Sequence, residues 1–337
     1  MPLWQFCRGL PKAELHVHLE GCLEPDFLLE LARRNEVAVP WETAEQLREA
    51  YRFRDLGSFL DLYFAGCQVL CDQRDFYELT TAYLDRAHQD GVAHAELFFG
   101  PQTFIERGIP VGVQLEGILD AVADAGARTG ISASLLVSAH RHRTDDDAFA
   151  LLDSVGPWAD RIAGFGMGGA EVGNPPEKFV RYFAELRRQG FKTCVHAGEE
   201  GPADYVRQAV ELLGVDRVDH GITILDDEDL VREVAAAGTP LTVCPISNVR
   251  LRTVPSLSEH PLPRMLAAGL NVSLHSDDPA YFGSGLADTY TATAEGVGLD
   301  RGTLTELARN SVRASFLPHA SRQALLSRID AVAPADC

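Results

Sequence analysis

The chain has 337 residues, with 30 lysine and arginine residues against 49 aspartate and glutamate residues, which gives a net charge of −19. Hydrophobic residues make up 46% of the sequence and charged residues 23%, which is typical of a globular protein and excludes wholesale disorder. The acidic balance argues against a nucleic acid or an anionic membrane surface as partner, because both select clusters of lysine and arginine.

The lack of a recognisable targeting segment and the pattern of the cysteines predict a cytoplasmic protein. The sequence contains no apolar run near the ~20 residues that span a bilayer. Its start, MPLWQFCRGL, lacks a basic segment followed by an apolar stretch, so we expect no signal peptide. The seven cysteines are odd in number and scattered, which favours reduced thiols. Cys67 and Cys71, the one close pair, lie in a helix-like stretch, and we favour inert thiols there over a zinc finger.

Eight apolar, strand-like runs alternate with amphipathic helical patterns. The runs cover residues 13–20, 92–99, 132–140, 161–169, 191–199, 217–224, 240–248 and 270–278. This alternation predicts parallel strands joined by right-handed helical crossovers. Eight such units close most naturally into an α/β fold of the (β/α)8 TIM-barrel type, and a doubly wound sheet is the alternative.

The long connection after the first strand, about residues 23–90, is predicted to be helical. PDFLLELARRN, TAEQLREAYRF, LGSFLDLYFAGCQVL and DFYELTTAYLDRAHQDG each have the periodicity of an amphipathic helix. No linker rich in proline, glycine and serine brackets them, so we expect an elaboration over one end of the barrel. The whole chain, 1–337, is then a single domain, closed by one or two helices after Arg301.

Four metal-binding side chains lie near the carboxyl ends of the predicted strands. His16 and His18 are two residues apart on the first strand, so their side chains share one face. His196 ends the fifth run and Asp277 lies at the end of the eighth. Barrel enzymes build their active sites at this end of the strands. Three imidazoles and one carboxylate therefore predict a site for a Zn2+-like cation.

Further ionisable residues follow the same strands. Glu199 lies three residues after His196, where it could transfer a proton without being a ligand. Its neighbour Glu200 is interpreted as a solvated residue. His220 lies in the sixth run and has two possible roles. It could orient or deprotonate a metal-bound water, or it could itself bind the metal.

The fourth run, RIAGFGMGG, is informative in two ways. It contains no lysine that could bridge two metals, so we expect a mononuclear site. Gly164, Gly166 and Gly169 also fit the G-x-G-x-x-G spacing of dinucleotide-binding loops. That motif must lead directly into a helix, but here AEVGNPP follows. We therefore favour a glycine-rich strand end where backbone approaches a flat ligand.

The motifs PKAELHVHLEG, VHAGEE, DHG, CPISN and SDDP, in this order, resemble the adenosine/adenine deaminase family of the amidohydrolase superfamily. The resemblance extends from about Leu10 to about Leu317. It implies one Zn2+, or alternatively Fe2+, held by His16, His18, His196 and Asp277. It also implies that Glu199 protonates purine N1, that His220 acts on the attacking water, that Asp278 hydrogen-bonds N7 and that the backbone of Gly169 meets N3.

The resemblance implies hydrolytic deamination at C6 of a small-molecule purine. Zn2+ would lower the pKa of bound water towards ~7, and the hydroxide would attack C6 with release of ammonia. ELHVHLEGCLEP resembles the bacterial adenine deaminase subgroup, in which Glu20 takes a place that is aspartate in adenosine deaminases. The longer side chain would crowd a ribose, so we expect adenine as substrate and hypoxanthine as product. Adenosine and a substituted adenine are the alternatives.

Three positions depart from the pattern of that subgroup. They are Gly100, the stretch Gly168–Ala170, and His275. The first two lack polar side chains near the predicted pocket, which would enlarge it or make it less polar and would admit a substituted purine. Two other classes of function stay open, a metal hydrolase that opens a cyclic amide and a silent barrel used for binding. The sequence is also compatible with a homo-oligomer.

Overall fold

Eight parallel strands form a barrel in this computed structural model, which describes residues 1–332. The strands are β1 Lys12–His18, β2 Val92–Phe99, β3 Ser132–His140, β4 Ile162–Gly168, β5 Lys192–Ala197, β6 Arg217–His220, β7 Leu241–Val243 and β8 Val272–Leu274. Each strand pairs with the next in sequence. The chain just beyond β8 returns to β1 through a parallel bridge between Val17 and Asp277. The predicted (β/α)8 barrel is confirmed, and the doubly wound alternative is wrong.

Helices separate the strands and cover the barrel. They are α1 Leu3–Gly9, α2 Pro25–Arg34, α3 Ala44–Ala50, α4 Leu56–Cys67, α5 Gln73–Gln89, α6 Gln102–Ile105, α7 Val111–Thr129, α8 Asp145–Val155, α9 Val180–Arg188, α10 Ala203–Arg207, α11 Glu228–Ala237, α12 Pro245–Arg250, α13 Leu262–Ala267, α14 Pro279–Phe282, α15 Leu286–Val297, α16 Arg301–Ala314 and α17 His319–Asp330. The extra helices predicted after the first strand are α2 to α5, and the closing pair is α16 and α17.

The last three strands are shorter than the sequence patterns predict. After β6, Gly221 has a φ of 72° and a 3-10 turn, Ile222–Asp226, follows. After β7, Pro245 is the first residue of α12, because proline cannot donate to a sheet but fits the first turn of a helix. β8 ends at Leu274, so Asp277 lies outside regular strand structure. The expected continuation of all three strands to residues 224, 248 and 278 is wrong.

Local sequence signals fix the starts of several helices. The side chains of Asp55, Asp72 and Thr144 each accept a hydrogen bond from the backbone N–H of the third residue of the helix that follows. The side chain of that third residue accepts one from the backbone N–H of the capping residue. Such reciprocal caps satisfy backbone donors that have no partner within the helix. The strands are buried, as parallel strands covered by helices must be, and every residue of β2 is buried. None of the described helices is long and apolar enough to cross a membrane.

Candidate active site

The ends of β1 and β5 and the chain beyond β8 bring four candidate metal ligands together. Nε2 of His196 lies 3.1 Å from Nε2 of His16 and 3.0 Å from Nε2 of His18. Oδ1 of Asp277 lies 3.4 Å and 3.3 Å from the same two atoms. The four side chains that the sequence nominates therefore surround one point.

The donor set of this cluster fits a single cation. One proton cannot satisfy three imidazole nitrogens that meet at these distances, whereas a cation accepts all their lone pairs. Tetrahedral bonds of about 2.0–2.1 Å place ligand atoms about 3.3 Å apart, which is close to the spacing here. His220, Cys244 and Asp277 also offer ligand atoms within 4.8 Å of one another, so a ligand role for His220 stays an alternative.

Residues behind the cluster orient two of its imidazoles. Thr242 donates its hydroxyl proton to Asp219 (Oγ1–Oδ1, 2.8 Å). Nδ1 of His16 lies 3.0 Å from the same hydroxyl oxygen, so the imidazole must be the donor, and its Nε2 is left free to bind a metal. The other oxygen of Asp219 lies 3.5 Å from Nδ1 of His196. Outer partners of this kind fix the ring orientation of metal-bound histidines.

Sheet register could have revealed this support. His196 pairs with Asp219 across β5 and β6, and Asp219 pairs with Thr242 across β6 and β7. The three residues thus form one row across the barrel. The pattern of any single strand end does not identify Asp219 or Thr242, because their role appears only when neighbouring strands are paired.

Two of the four described non-glycine residues with a positive φ lie at the site. Asp277 has a φ of 66° and His220 a φ of 67°, in the left-handed region that side chains with a Cβ rarely adopt. The backbone of Asp277 is held there by β1, since its N–H donates to O of His16 and its carbonyl accepts from N of His18. Residues in such conformations persist where the surrounding structure imposes them. Closure of the barrel therefore places the carboxylate between the two histidines.

Glu199 and His220 face each other beside the four candidate metal ligands. Oε2 of Glu199 lies 3.5 Å from Nε2 of His220, and both side chains are almost fully buried. Burial raises the pKa of the Glu199 carboxyl well above its usual range, and nearby Asp277 adds to the rise. Burial, with repulsion from His16, lowers the pKa of His220 well below its usual range. Both shifts favour the uncharged forms, a carboxyl acid facing an imidazole base.

A cavity beside the cluster has one apolar wall and one polar wall. The apolar wall comes mainly from helix α4, whose residues Leu56, Phe59, Leu60, Tyr63 and Phe64 line it. Apart from Leu251, the remaining lining residues are polar side chains and glycines: His18, Gly100, Ser138, His140, Gly168, Gly169, His196, Glu199, His220, Asp277 and Asp278. This combination of an apolar face and a few converging polar groups suits a flat, aromatic ligand with polar edges. Of the predicted site residues, His16 and Glu20 do not line the cavity.

Comparison with known proteins places the chain in a family. The model of the adenosine deaminase family matches residues 11–332, nearly the whole sequence. The chain belongs to the adenosine deaminase family. Within this family, it is 52% identical to an adenine deaminase of Rhodopseudomonas palustris over 97% of this chain and 96% of the relative.

Two solved structures of this family carry the same fold. An adenine deaminase from Arthrobacter aurescens superposes with a TM-score of 0.94 at 44% identity, covering 96% of this chain and 98% of the other. An amidohydrolase from Burkholderia ambifaria, solved with bound zinc, has a TM-score of 0.90 at 30% identity, covering 98% and 93%. The predicted resemblance to this family is confirmed.

Glu20 lies in a different setting from the one expected. It begins a 3-10 turn, Glu20–Cys22, so the alternation of a strand does not determine its direction. One oxygen accepts a hydrogen bond from N of Gly100 (2.8 Å), and the other is buried without a partner. Burial raises the pKa of this carboxyl. The side chain lies behind Gly100, at the edge of the cavity.

Asp278 likewise lies outside the strand, in the bend directly before helix α14. Burial raises the pKa of its carboxyl well above the usual range, and the charge of Asp277 adds to the rise. The side chain packs against Gly21, where a Cβ would lie 2.0 Å from Oδ1 of Asp278. Only glycine permits this approach. Asp278 lines the cavity, and its Oδ1, the oxygen against Gly21, has no partner in the protein.

The departures at Gly100 and His275 do not widen the cavity. A Cβ at position 100 would lie 2.8 Å from Nε2 of His140, so the imidazole already fills that space. His275 is fully buried between Leu15, whose N–H it accepts at 3.0 Å, and Ser273. The expectation of an enlarged pocket at Gly100 is therefore wrong.

Proposed function

We propose that this protein is a zinc-dependent deaminase that hydrolyses adenine to hypoxanthine and ammonia. The observation that carries the proposal is the cluster of three histidines and an aspartate, with the buried carboxyl group of Glu199 lining the same cavity. The relatives that are 46–52% identical over nearly their whole length bear the name adenine deaminase, which supports adenine as the substrate. An assay of ammonia release from adenine tests the proposal.

We propose His16, His18, His196 and Asp277 as the ligands of one Zn2+ per chain. Three neutral imidazoles and a carboxylate suit this ion, and the related amidohydrolase that is 30% identical was solved with it. When bound, zinc would supply a water molecule of lowered pKa as the nucleophile. We further propose one domain comprising the barrel and its added helices, and a cytoplasmic location.

The remaining residues have separate tasks in this proposal. Glu199 donates its proton to N1 of the purine, which makes C6 more electrophilic as water adds. His220, neutral and in contact with Glu199, accepts a proton from the attacking water. The protonated His220 then gives its proton to the amino group, the C6–N bond breaks with release of ammonia, and the C6 hydroxyl returns a proton to Glu199 as the carbonyl forms. Asp278 hydrogen-bonds N7, and the backbone of Gly169, with a φ of 99°, lies against N3.

The metal proposal predicts that His16→Ala loses metal and activity together. His16 is fully buried and supplies one of the four ligand atoms, so its removal leaves three. We expect less than about a tenth of the wild-type metal content, because loss of a ligand costs more than the 10–100-fold that outer partners contribute. Elemental analysis and ammonia release measure the two effects. The exposed His319→Ala variant is the control, and full activity without metal would refute the proposal.

The division of labour between the two aspartates gives a second prediction. Asp278→Ala should keep its metal and lower kcat/KM at least about 10-fold, the value of one hydrogen bond to a charged or strongly polar group. Asp277→Ala should lose the metal itself. Metal content and steady-state kinetics of both variants decide the point. Equal loss of metal in the two proteins would contradict the assignment.

A further inference from the structure

A buried carboxylate outside the cavity holds the loop that carries Glu199. Glu171 lies three residues beyond β4, is 1% exposed and does not line the cavity. Its Oε1 accepts a hydrogen bond from N of Gly198 at 2.7 Å. Its Oε2 accepts from N of Glu199 at 3.0 Å and from N of Glu200 and Gly201 at 2.8 Å each. One side chain thus satisfies four consecutive backbone donors.

The loop is closely packed around this acceptor. A Cβ at Gly201 would lie 2.7 Å from Oε1 of Glu171 and 2.5 Å from Tyr205, so the backbone approaches the carboxylate as closely as glycine allows. Gly198 has a φ of 73°, and a Cβ there would lie 2.5 Å from Val206. The conformation of the whole loop therefore depends on an acceptor that lies on another strand end.

Arg141 connects the same two strand ends. It is fully buried and donates to the carbonyl of His196 at 2.6 Å and to the carbonyl of Asn174 at 3.0 and 2.8 Å. Its Nη1 lies 3.9 Å from Oε1 of Glu171. Residues that follow β3 and β4, Arg141 and Glu171, thus hold the end of β5 and the loop that carries Glu199.

We propose that Glu171 is a positioning residue for the proposed deamination, holding the backbone of Glu199 where its carboxyl group can reach the ring. This inference rests on the proposed function, because it assigns Glu171 no contact with substrate or metal. Reacting groups displaced by about 1 Å can lose about 10²-fold in rate. A change in the loop should therefore affect turnover more than substrate binding.

The test is a double-mutant cycle between Glu171 and Glu199. Glu171→Gln puts an N–H2 group against backbone donors, and we expect kcat to fall about 10–10²-fold with KM within about threefold and with metal retained. In a Glu199→Gln background, the same change should cost less than about threefold, because the group that it positions is gone. Glu177→Gln, an exposed carboxylate on the same segment, is the control and should match wild type.

A second, more conservative variant tests the same role if Glu171→Gln does not fold. Glu171→Asp keeps the charge and moves the acceptor back by one methylene, so its kcat should lie between those of wild type and Glu171→Gln. An equal loss from Glu171→Gln in both backgrounds, or an unchanged kcat in Glu171→Gln or Glu171→Asp, would overturn the positioning role. If Glu199→Gln itself keeps full turnover, or if the wild-type protein releases no ammonia from adenine, the proposed function fails instead.

Discussion

Glu199→Gln should fold, retain its metal and lose turnover by about 10²–10⁴-fold, the range attributed to general acid–base catalysis. The amide has the same shape but carries no acidic proton for N1. Burial and the neighbouring charge of Asp277 raise the pKa of the native carboxyl well above its usual range, which favours the protonated form that an acid needs. Single-turnover measurements with adenine separate this loss of chemistry from any change in binding.

The neighbouring residue provides a matched control for that experiment. Glu200 is half-buried, does not line the cavity and contributes its backbone N–H, not its side chain, to the contact with Glu171. Glu200→Gln removes the same charge one position along and should stay within about threefold of wild type, as is usual for a residue without a catalytic contact. If Glu199→Gln also stayed within threefold, Glu199 would be a structural residue.

Strand positions and the metal cluster were predictable because both follow from short patterns. A run such as VAHAELFF is apolar over the length of one buried strand, and β2 has the predicted bounds, Val92–Phe99. The barrel rule then brings residues from β1, β5 and the end of β8 to one face. That rule needs only the order of the strands, and it brought His16, His18 and His196 together with Asp277.

The supporting residues were not predictable in the same way. Glu171 lies in AEVGNPP, a polar stretch that has the composition of a surface loop, and its four partners come from another loop 27 to 30 residues later. Nothing in the local pattern distinguishes a buried acceptor of this kind from a solvated glutamate. Asp219 likewise acts through register with its neighbours in the sheet. Such roles depend on contacts between distant segments.

The hydrophobic patterns also did not predict where the first and eighth strands end at the site. Asp277 and Glu20 were placed on extended strands, but they lie in a left-handed turn and in a 3-10 turn. In both places the backbone departs from strand geometry to aim a carboxylate, which overrides the alternation on which the prediction relied. The sequence thus predicted which side chains lie together better than it predicted the backbone conformations that present them.

The preference between purines is the prediction with the largest expected effect. We expect kcat/KM for adenine to exceed that for adenosine by more than about 10³-fold, because a site built to hydrogen-bond a group rejects an analogue that lacks it. Free adenine carries an N–H at the position where adenosine carries ribose. Glu20 does not line the cavity itself but contacts Gly100, which does, and we propose its unpartnered, buried oxygen as the acceptor for this N–H. Adenosine would leave this oxygen unpaired and would bring a sugar against it.

Shortening that side chain tests the cause of the preference. Glu20→Asp withdraws the carboxylate by one methylene, so it should raise kcat/KM for adenosine and lower it for adenine, which narrows the ratio at least about 10-fold. Glu30→Asp, the same change at an exposed position of α2, should leave both values as in wild type. A wild-type kcat/KM for adenosine equal to or above that for adenine would show that Glu20 does not exclude the nucleoside. If neither purine is deaminated, the next substrates are adenines substituted at N6, whose extra group would meet the apolar wall of Phe59, Leu60 and Tyr63.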